Sequence, residues 1–238
     1  LFRSVKLYKK FSPGPITYVL KLKNKSKISK FVTNNKKSIA VRFPKHKLLR
    51  NLLKNLDYPV AAPSANISSR LSSVKPSDVK EEFGSKIKYI LNGGKSKIGV
   101  ESTILNLLEK PSLLRYGGLD TKKIENVLKK KLLINTNSKK KLSPGLFPLH
   151  YSPGIPLRVN VKIPKKDEAY LLIKKRKSKL KNYYYLSKVK NIKEAAKNLY
   201  STLRKIKNDG FKKIAVETIP NKGLGKTIND RLKRASKY

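Results

Sequence analysis

The chain has 238 residues, and its 58 basic and 14 acidic residues give a formal net charge of +44. Its hydrophobic content of 38% argues against compositional disorder and suffices for one large or two modest domains. Cysteine is absent, which excludes disulfides and thiolate zinc sites, and no apolar run approaches the roughly 18 residues of a membrane span. Because nothing at the N-terminus resembles a signal peptide, we expect a cytoplasmic protein with no membrane association.

Hydrophobic patterns predict a mixture of strands and helices in the first half of the chain. Residues 16–23 and 38–43 are β-rich and predict two strands, while the leucines of 46–56 recur at helical spacing. Val60 to Ala62 predict a short buried strand before a proline. The other predicted elements of this half are a helix at 76–83 closed by Gly84, strands at 88–91, 102–108 and 112–115, and a helix at 121–131 capped by Asp120 or Thr121.

The second half begins with a change of character. Residues 135–165 contain five prolines, so no long regular element is expected there, and we predict an extended but ordered linker. Beyond the linker, strands are predicted at 169–173, 183–186 and 214–217, a helix at 193–209 and a last helix around Leu232. This alternation indicates a small α/β layer.

The basic charge has two interpretations. Clustered cations on a protein surface bind nucleic acid by releasing counterions from its phosphates. However, 48 of the 58 basic residues are lysines spread along the whole length, which is also typical of compositional drift. In either case the positive field should attract ATP and RNA at low salt.

Glycine-bearing runs flank several of the predicted strands. The pair Gly93-Gly94 precedes Ile98-Gly-Val-Glu-Ser-Thr, a second pair follows Arg115, and Ser143-Pro-Gly leads to His150-Tyr151. In α/β proteins the loops at strand ends are where ligands bind. Hydroxyls and an arginine beside these glycines predict a site for an anionic, phosphate-bearing ligand.

A hydroxyl-rich loop, Pro63-Ser-Ala-Asn-Ile-Ser-Ser, follows the strand predicted at Val60. Such a loop can offer Ser64, Ser68 and Ser72 to phosphate oxygens. The same composition is typical of an ordinary turn held by local side-chain hydrogen bonds. Both interpretations are open from the local sequence.

Two arginines and one carboxylate also suggest ligand contacts. Arg42 ends an apolar strand, where its planar fork suits a carboxylate ligand or an internal ion pair. Glu101 lies between glycine and a strand and is either a general base or a hydrogen-bonding strand start. Arg115, before Tyr116-Gly-Gly, is either a phosphate clamp or a solvent-facing turn residue.

The two histidines, His46 and His150, form no paired spacing with acidic residues that suggests a metal cage, and no Ser-His-Asp order is evident. Any magnesium would therefore arrive with a nucleotide.

Six motifs occur in the order seen in threonylcarbamoyl-AMP synthases of the YrdC type, and the whole chain resembles that family. The C-terminal run from Gly223 to Ala235 resembles the closing segment of the longer, two-domain members. The motifs are Phe11-Ser-Pro-Gly-Pro-Ile-Thr, Ser38-Ile-Ala-Val-Arg-Phe-Pro, Ala62-Pro-Ser-Ala-Asn-Ile-Ser-Ser, Gly99-Val-Glu-Ser-Thr-Ile, Leu114-Arg-Tyr-Gly-Gly and Ser143-Pro-Gly followed by His150-Tyr-Ser-Pro.

This resemblance implies the fold class and the domains. We expect an α/β protein with a YrdC-like twisted mixed sheet and helices at 1–135, a Pro-rich linker or lid at 136–165, and a small Rossmann-like α/β domain at 166–238. The resemblance also implies ATP-dependent synthesis of threonylcarbamoyl-AMP from L-threonine and bicarbonate, for the threonylcarbamoyladenosine modification of tRNA. Its partners would then include the downstream tRNA threonylcarbamoyl transfer machinery, with direct contact to RNA as a further expectation.

The resemblance implies two groups of site residues, with magnesium accompanying ATP and no catalytic side chain beyond positioning and charge stabilisation. Tyr151 would cover the nucleotide and make the linker a lid. The residues expected to bind ATP are Ser38, Ser64, Ser72, Arg115 and Tyr151. Those expected to bind L-threonine are Arg42, Ala62 (through its backbone) and Ser102. We expect Arg42, Ser64, Ser102 and Arg115 to converge on one cleft.

The family also begins with a strand and loop of the type Pro-Thr-Glu-Thr-Val-Tyr-Gly-Leu and a Lys-x-Arg segment, which are not in this sequence. Methionine is absent as well, so we expect the natural chain to start upstream and the 238-residue polypeptide to have impaired activity.

Two other functions are consistent with parts of the sequence. The charge would also suit a non-catalytic RNA-binding module of the same fold. A carbamoyl-transfer relative from larger hydrogenase-maturation proteins is a third hypothesis, against which the C-terminal domain and the absence of cysteine both argue.

Overall fold

The structure is a computed structural model, and it describes residues 2–24, 26–136, 150–177 and 180–237. It divides into two compact units: unit 1 contains Leu1–Pro63 and Glu101–Leu146, and unit 2 contains Ser64–Val100 and Phe147–Tyr238. In the part of the chain that the structure describes, no helix combines the length and the hydropathy required to span a bilayer.

Unit 1 is a five-stranded mixed sheet with helices. The sheet order is β2-β1-β3-β4-β5, in which β1 and β3 pair in parallel and β1 and β2 pair antiparallel. Its elements are α1 (Phe2–Phe11), β1 (Ile16–Lys21), α2 (Lys30–Thr33), β2 (Ser38–Arg42), α3 (Lys47–Lys54), β3 (Thr103–Asn106), β4 (Ser112–Arg115), α5 (Thr121–Leu128) and β5 (Leu133–Ile134).

The main core of unit 1 lies between one face of this sheet and two helices. Ile16 and Tyr18 of β1 and Leu105 of β3 point to this face, where they pack with Leu7 of α1 and Ile124 of α5. Alternate residues of a strand point to opposite faces, so this packing defines which side chains remain on the other face. The smaller cluster of Val19, Ile104 and Leu114 lies there.

Unit 2 contains a four-stranded parallel sheet of order β6-β9-β7-β8. Its elements are α4 (Pro76–Phe83), a 3-10 turn (Gly84–Lys86), β6 (Leu157–Arg158), β7 (Ala169–Lys174), β8 (Tyr183–Ser187), α6 (Ile192–Asn208), β9 (Ile214–Val216) and α7 (Leu224–Ala235).

Helix α6 carries much of the core of unit 2. Its buried residues recur at helical spacing and pack against the buried strands β7 and β9. Asn191 caps its N-terminus, because the Asn191 side chain accepts hydrogen bonds from the backbone nitrogens of Lys193 and Glu194. The local sequence and the tertiary packing therefore favour the same helix.

Most of the predicted elements are confirmed. Strands β1, β2, β3, β4, β7, β8 and β9 and helices α3, α4, α5, α6 and α7 all lie within or beside their predicted ranges. The α/β fold class with two sheets is confirmed as well. The predicted linker includes residues 137–149, which lie outside the described residues, and the two-residue strand β6.

Two predicted strands are wrong. Val60 to Ala62 form no strand and are exposed, although the prediction placed them in a buried strand, and 88–91 also form none. A strand is stable only when a neighbour accepts its backbone hydrogen bonds, and a short apolar run does not reveal whether such a neighbour exists. Helices α1 and α2 and strands β5 and β6 were not predicted.

The compact units do not follow the order of the chain, since Ser64–Val100 belongs to the same unit as Phe147–Tyr238. The predicted boundaries at 135 and 165 remain a prediction. Helix α3 also differs from a usual amphipathic helix, because none of its residues is buried and Leu48 and Leu52 are exposed.

Candidate functional site

Four side chains form a row across the sheet of unit 1. Arg42 on β2 is paired with Thr17 on β1, Thr17 is paired with Ile104 on β3, and Ile104 is paired with Arg115 on β4. Residues that are directly opposite on neighbouring strands point to the same face of a sheet. The row therefore lies on the face that α1 and α5 leave free, and it places two guanidinium groups and a hydroxyl side by side.

Ser102, immediately before β3, connects this row through hydrogen bonds. Its hydroxyl lies 2.7 Å from Thr17 Oγ1, and Arg115 Nη2 donates to the same hydroxyl at 3.3 Å. Arg115 also donates from Nε and Nη2 to the backbone oxygen of Ser102, at 3.2 and 3.0 Å. The Arg115 fork is thereby held in one orientation, and Ser102 is almost fully buried beneath it.

Arg42 is the unpaired cation of the row. Within the described residues it forms no ion pair or side-chain hydrogen bond, and part of the residue is exposed to solvent. The protein atoms around its guanidinium, followed by the nearby charge of Arg115, lower the pKa of Arg42, and Glu101 acts in the opposite direction. Two cations close together in a partly desolvated place make this end of the row a favourable site for an anion.

The two loops beside the row contact each other through backbone. A Cβ atom at Gly117 would overlap the backbone of Ser102 and Thr103, so only glycine allows this approach. Gly118 N donates to Glu101 O at 2.8 Å, and the Thr103 hydroxyl donates to Leu119 O at 2.7 Å. Gly117 belongs to the glycine pair that follows Arg115, and in the structure it lets the Ser102 loop approach.

Ser38 and Ala62, the other predicted site residues of unit 1, lie away from the hydrogen-bonded cluster. Ser38 begins β2 and is paired with Lys21, four residues from Arg42 or about 13 Å along an extended strand. Since residues four apart share a face, Ser38 lies on the same face as Arg42. Ala62 is exposed in the loop that follows α3.

Ser64, Ser72 and Tyr151 belong to unit 2, so the predicted convergence of Ser64 with Arg42 remains a prediction. We call residues Ser64–Ser73 the serine loop. An isolated β-bridge joins Arg70 of this loop to Ser152, and Ser152 N donates to Ser69 O at 2.8 Å. The bridge joins the serine loop to the residue that directly follows Tyr151 in the chain.

Tyr151 is packed inside unit 2. Its ring is 1% exposed, stacks on Tyr200 at 5.8 Å between centroids, and lies 4.5 Å from the guanidinium carbon of Arg231. Arg231 is itself buried and paired with Asp230, so the cation–π contact forms away from water, where such contacts are strongest. Whether Tyr151 also contacts a nucleotide stays a prediction, and residues 137–149 of the predicted lid lie outside the described residues.

No cluster of three His, Cys, Asp or Glu side chains occurs among the residues that the structure describes.

Two residues of these clusters were not predicted. Thr17 was interpreted only as part of a strand, although it ends the first quoted motif, and its hydroxyl turned out to share the face of Arg42. Arg231 lies in the quoted C-terminal run, but a buried arginine over a tyrosine leaves no local signal, because its partners come from distant parts of the chain.

Two family models match the chain one after the other. A model described as "Telomere recombination" matches residues 3–117, and a model described as "Threonylcarbamoyl-AMP synthase, C-terminal domain" matches residues 119–237.

Curated relatives named threonylcarbamoyl-AMP synthase match almost the entire chain. The relative from Pyrococcus abyssi is 33% identical, over 98% of this chain and 73% of the relative. The one from Bacillus subtilis is 30% identical, over 97% of this chain and 72% of the relative. The one from Schizosaccharomyces pombe is 30% identical, over 97% of this chain and 65% of the relative.

Solved structures agree with these matches. A crystal structure of P. abyssi Sua5 complexed with L-threonine superposes with a TM-score of 0.87 at 32% identity, covering 99% of this chain and 74% of that one. A variant of P. abyssi Sua5 with an adjacent histidine and tyrosine replaced by alanine gives a TM-score of 0.84. Matches of this length, identity and structural similarity place the present chain in the threonylcarbamoyl-AMP synthase family.

Proposed function

We propose that this protein synthesises threonylcarbamoyl-AMP from L-threonine, bicarbonate and ATP and releases pyrophosphate. The observation that carries the proposal is the row of Arg42, Thr17 and Arg115 with Ser102 in unit 1. L-Threonine offers a carboxylate and a side-chain hydroxyl, and the row offers an unpaired guanidinium beside a pair of hydrogen-bonded hydroxyls. The similarity to a protein whose structure contains L-threonine supports the same assignment.

In this proposal Arg42 binds the carboxylate of L-threonine through its fork. The carboxylate would relieve the repulsion between Arg42 and Arg115, so its binding offsets the cost of holding two cations close together. Ser102 and the backbone of Ala62 complete the threonine site. The hydrogen bond between the Thr17 and Ser102 hydroxyls keeps the Ser102 side chain in position.

The nucleotide is assigned to Ser38, Ser64, Ser72, Arg115 and Tyr151. The threonine amine forms a carbamate with bicarbonate and releases water. A carbamate oxygen then attacks the α-phosphorus of ATP, a new O–P bond forms, and pyrophosphate leaves with the electrons of the broken P–O bond. Arg115 neutralises charge that develops on phosphate oxygens, and no side-chain nucleophile takes part.

Magnesium fits this assignment as an ion carried by ATP. It would supply charge neutralisation on the phosphates, held chiefly by their oxygens and by water. The product would pass to the enzymes that transfer the threonylcarbamoyl group to tRNA in the cytoplasm, and the basic surface would favour contact with RNA.

The test is the substrate dependence of pyrophosphate release by the purified protein. Release should require ATP, L-threonine and bicarbonate together, and mass spectrometry should identify the adenylate. Omitting each substrate in turn supplies the controls. ATP turnover that is equally fast without L-threonine would contradict the proposal, and tight RNA binding without ATP affinity would favour the RNA-binding alternative.

A further inference from the structure

One arginine of helix α6, Arg204, faces the serine loop region. The guanidinium of Arg204 lies between two carboxylates, with Nε 3.6 Å from Asp78 Oδ1 and Nη1 3.7 Å from Glu82 Oε2. Its Nη2 also donates to the backbone oxygen of Leu71, at 3.4 Å. The Asp78 and Glu82 side chains are 1% and 4% exposed, and that of Arg204 is 13% exposed, so these charges meet almost without water.

The same two carboxylates hold backbone of the serine loop and of the residues that follow it. Glu82 Oε1 accepts a hydrogen bond from Ile67 N at 3.1 Å. Asp78 Oδ2 accepts from Val74 N at 2.9 Å and from Lys75 N at 3.2 Å. Ionised carboxylates are the stronger acceptors, and a buried carboxylate remains ionised at low cost only when a cation faces it.

Arg204 is therefore placed to stabilise the backbone of the serine loop, although it is not part of that loop. It supports Leu71 directly, Ile67 through Glu82, and Val74 through Asp78. The loop adds its own bonds, including one from the Ser73 hydroxyl to Ala65 O at 2.6 Å. Ser72 lies within this set of supported positions and Ser64 directly precedes it, so Arg204 does not need to touch a ligand to affect both.

We propose that Arg204 is a positioning residue through which helix α6 sets the conformation of the nucleotide-binding serine loop. The inference rests on the proposed function, since the serine loop is assigned there to ATP. It gives helix α6 a part in nucleotide binding without direct contact to the ligand. Lysine cannot replace Arg204 fully, because one ammonium group does not face two carboxylates and a carbonyl at once.

The experiment compares ATP and L-threonine affinities of the wild type, Arg204→Met and Arg204→Lys by calorimetry. Arg204→Met should weaken ATP binding by at least about tenfold, since a displacement of about 1 Å at a site costs as much or more. L-threonine affinity should stay within about twofold, because the threonine row lies in unit 1. Arg204→Lys should lie between the wild type and Arg204→Met.

Arg158→Met is the matched control. Arg158 pairs with Glu168, which is as buried as Asp78 and Glu82, but this pair makes no hydrogen bond to the serine loop. The control removes the cation that faces a buried carboxylate in the same unit, although the Arg158 side chain is 49% exposed, and it should leave ATP affinity within about twofold of the wild type. A general loss of stability would affect both variants alike.

Hydrogen exchange at the amides of Ile67 and Val74 reports the loop directly, and it should be faster in Arg204→Met than in the control. A folded Arg204→Met protein with wild-type ATP affinity overturns the inference, even if exchange is faster. If Arg204→Met does not fold, wild-type ATP affinity in Arg204→Lys overturns it. A wild type that binds no ATP overturns the proposed function as well, which distinguishes the two failures.

Discussion

The two units place their arginines in opposite electrostatic environments. All six arginines of unit 2 face carboxylates, in the pairs Arg70–Glu82, Arg158–Glu168, Arg176–Glu217, Arg204–Asp78, Arg231–Asp230 and Arg234–Asp230. In unit 1, Arg42 has no such partner among the described residues and lies near a second guanidinium, that of Arg115.

This contrast separates structural arginines from ligand-binding ones. A chain with only 14 acidic residues cannot neutralise most of its 58 cations, so the positions of those carboxylates carry information. Where an arginine is buried against a carboxylate, the pair serves the fold. Where a partly desolvated arginine lacks one, as at Arg42, an anion from outside the chain is the expected partner.

The largest effect that would test this contrast is expected at Arg231. Arg231→Met removes a buried cation from the Tyr151 ring and from Asp230, which then keeps only Arg234, so unfolding free energy should fall by about 3 kcal/mol or slightly more. Urea denaturation measures this change. Arg176→Met is the control, because its exposed pair with Glu217 should contribute only about 0–1 kcal/mol. Equal losses in the two variants would show that burial does not separate these pairs.

The next largest effect is expected at Gly117. A methyl group there meets the backbone of Ser102 and Thr103, which cannot rotate away as a side chain can. Gly117→Ala should destabilise the protein by about 3 kcal/mol and abolish L-threonine binding in calorimetry. Gly210→Ala is the comparison, since Gly210 has a positive φ but open space, so its cost should be about 1–2 kcal/mol with threonine binding intact. Normal threonine affinity in Gly117→Ala would exclude the loop contact from the site.

Arg42 should show an effect on binding without one on stability. Arg42→Met should weaken L-threonine binding about a hundredfold, or about 2.8 kcal/mol, because a charged two-point contact is lost. The melting temperature should stay the same or rise, since no internal ion pair is broken and repulsion with Arg115 ends. Arg50→Met on exposed helix α3 is the control and should change neither quantity. A clear drop in melting temperature for Arg42→Met would instead assign Arg42 to the structural class.

The smallest expected effect is the contribution of Glu168, in unit 2, to the pH dependence of stability. The hydrogen bond from Arg158, opposed by burial and aided by the Lys165 backbone, lowers the pKa of Glu168. The folded protein therefore binds this proton less readily than the unfolded chain does. Stability is lost as the pH falls from about 4.3, the pKa of an unperturbed glutamate, towards the lower pKa that Glu168 has in the folded protein.

Glu168→Gln should be less stable than the wild type by about 1 kcal/mol at pH 7 and should lose less stability between pH 5 and 3. Urea denaturation across that range measures both. Glu81→Gln, an exposed change, should follow the wild-type curve. An unchanged acid slope in Glu168→Gln would mean that other carboxylates govern acid unfolding.

The local sequence was sufficient for elements whose periodicity and caps agree. Helix α6 was predicted from its apolar spacing, and the structure begins it directly after the Asn191 cap. Strand β4 was predicted with the bounds that the structure has. In both cases the tertiary environment reinforces the local preference.

The sequence was insufficient where strand formation or burial depends on which distant segment lies next to a residue. Val60 to Ala62 have the composition of a strand, but they form none and are exposed in the structure. The Leu48 side of α3 has the pattern of a buried face, yet it is exposed in the structure. Apolar residues indicate what could be buried, whereas only the folded chain determines which surfaces meet.

The order of motifs, the type of each long element and the identity of most candidate ligand residues followed from the amino acids, because these depend on neighbours a few positions away. The row of Arg42, Thr17 and Arg115 depends on strand register, which is set by hydrogen bonds between segments up to about a hundred residues apart. The partners of Arg204 and Arg231 likewise come from distant segments. The sequence gives the sign of each side-chain charge, but only the tertiary structure determines whether an opposite charge lies close enough to neutralise it.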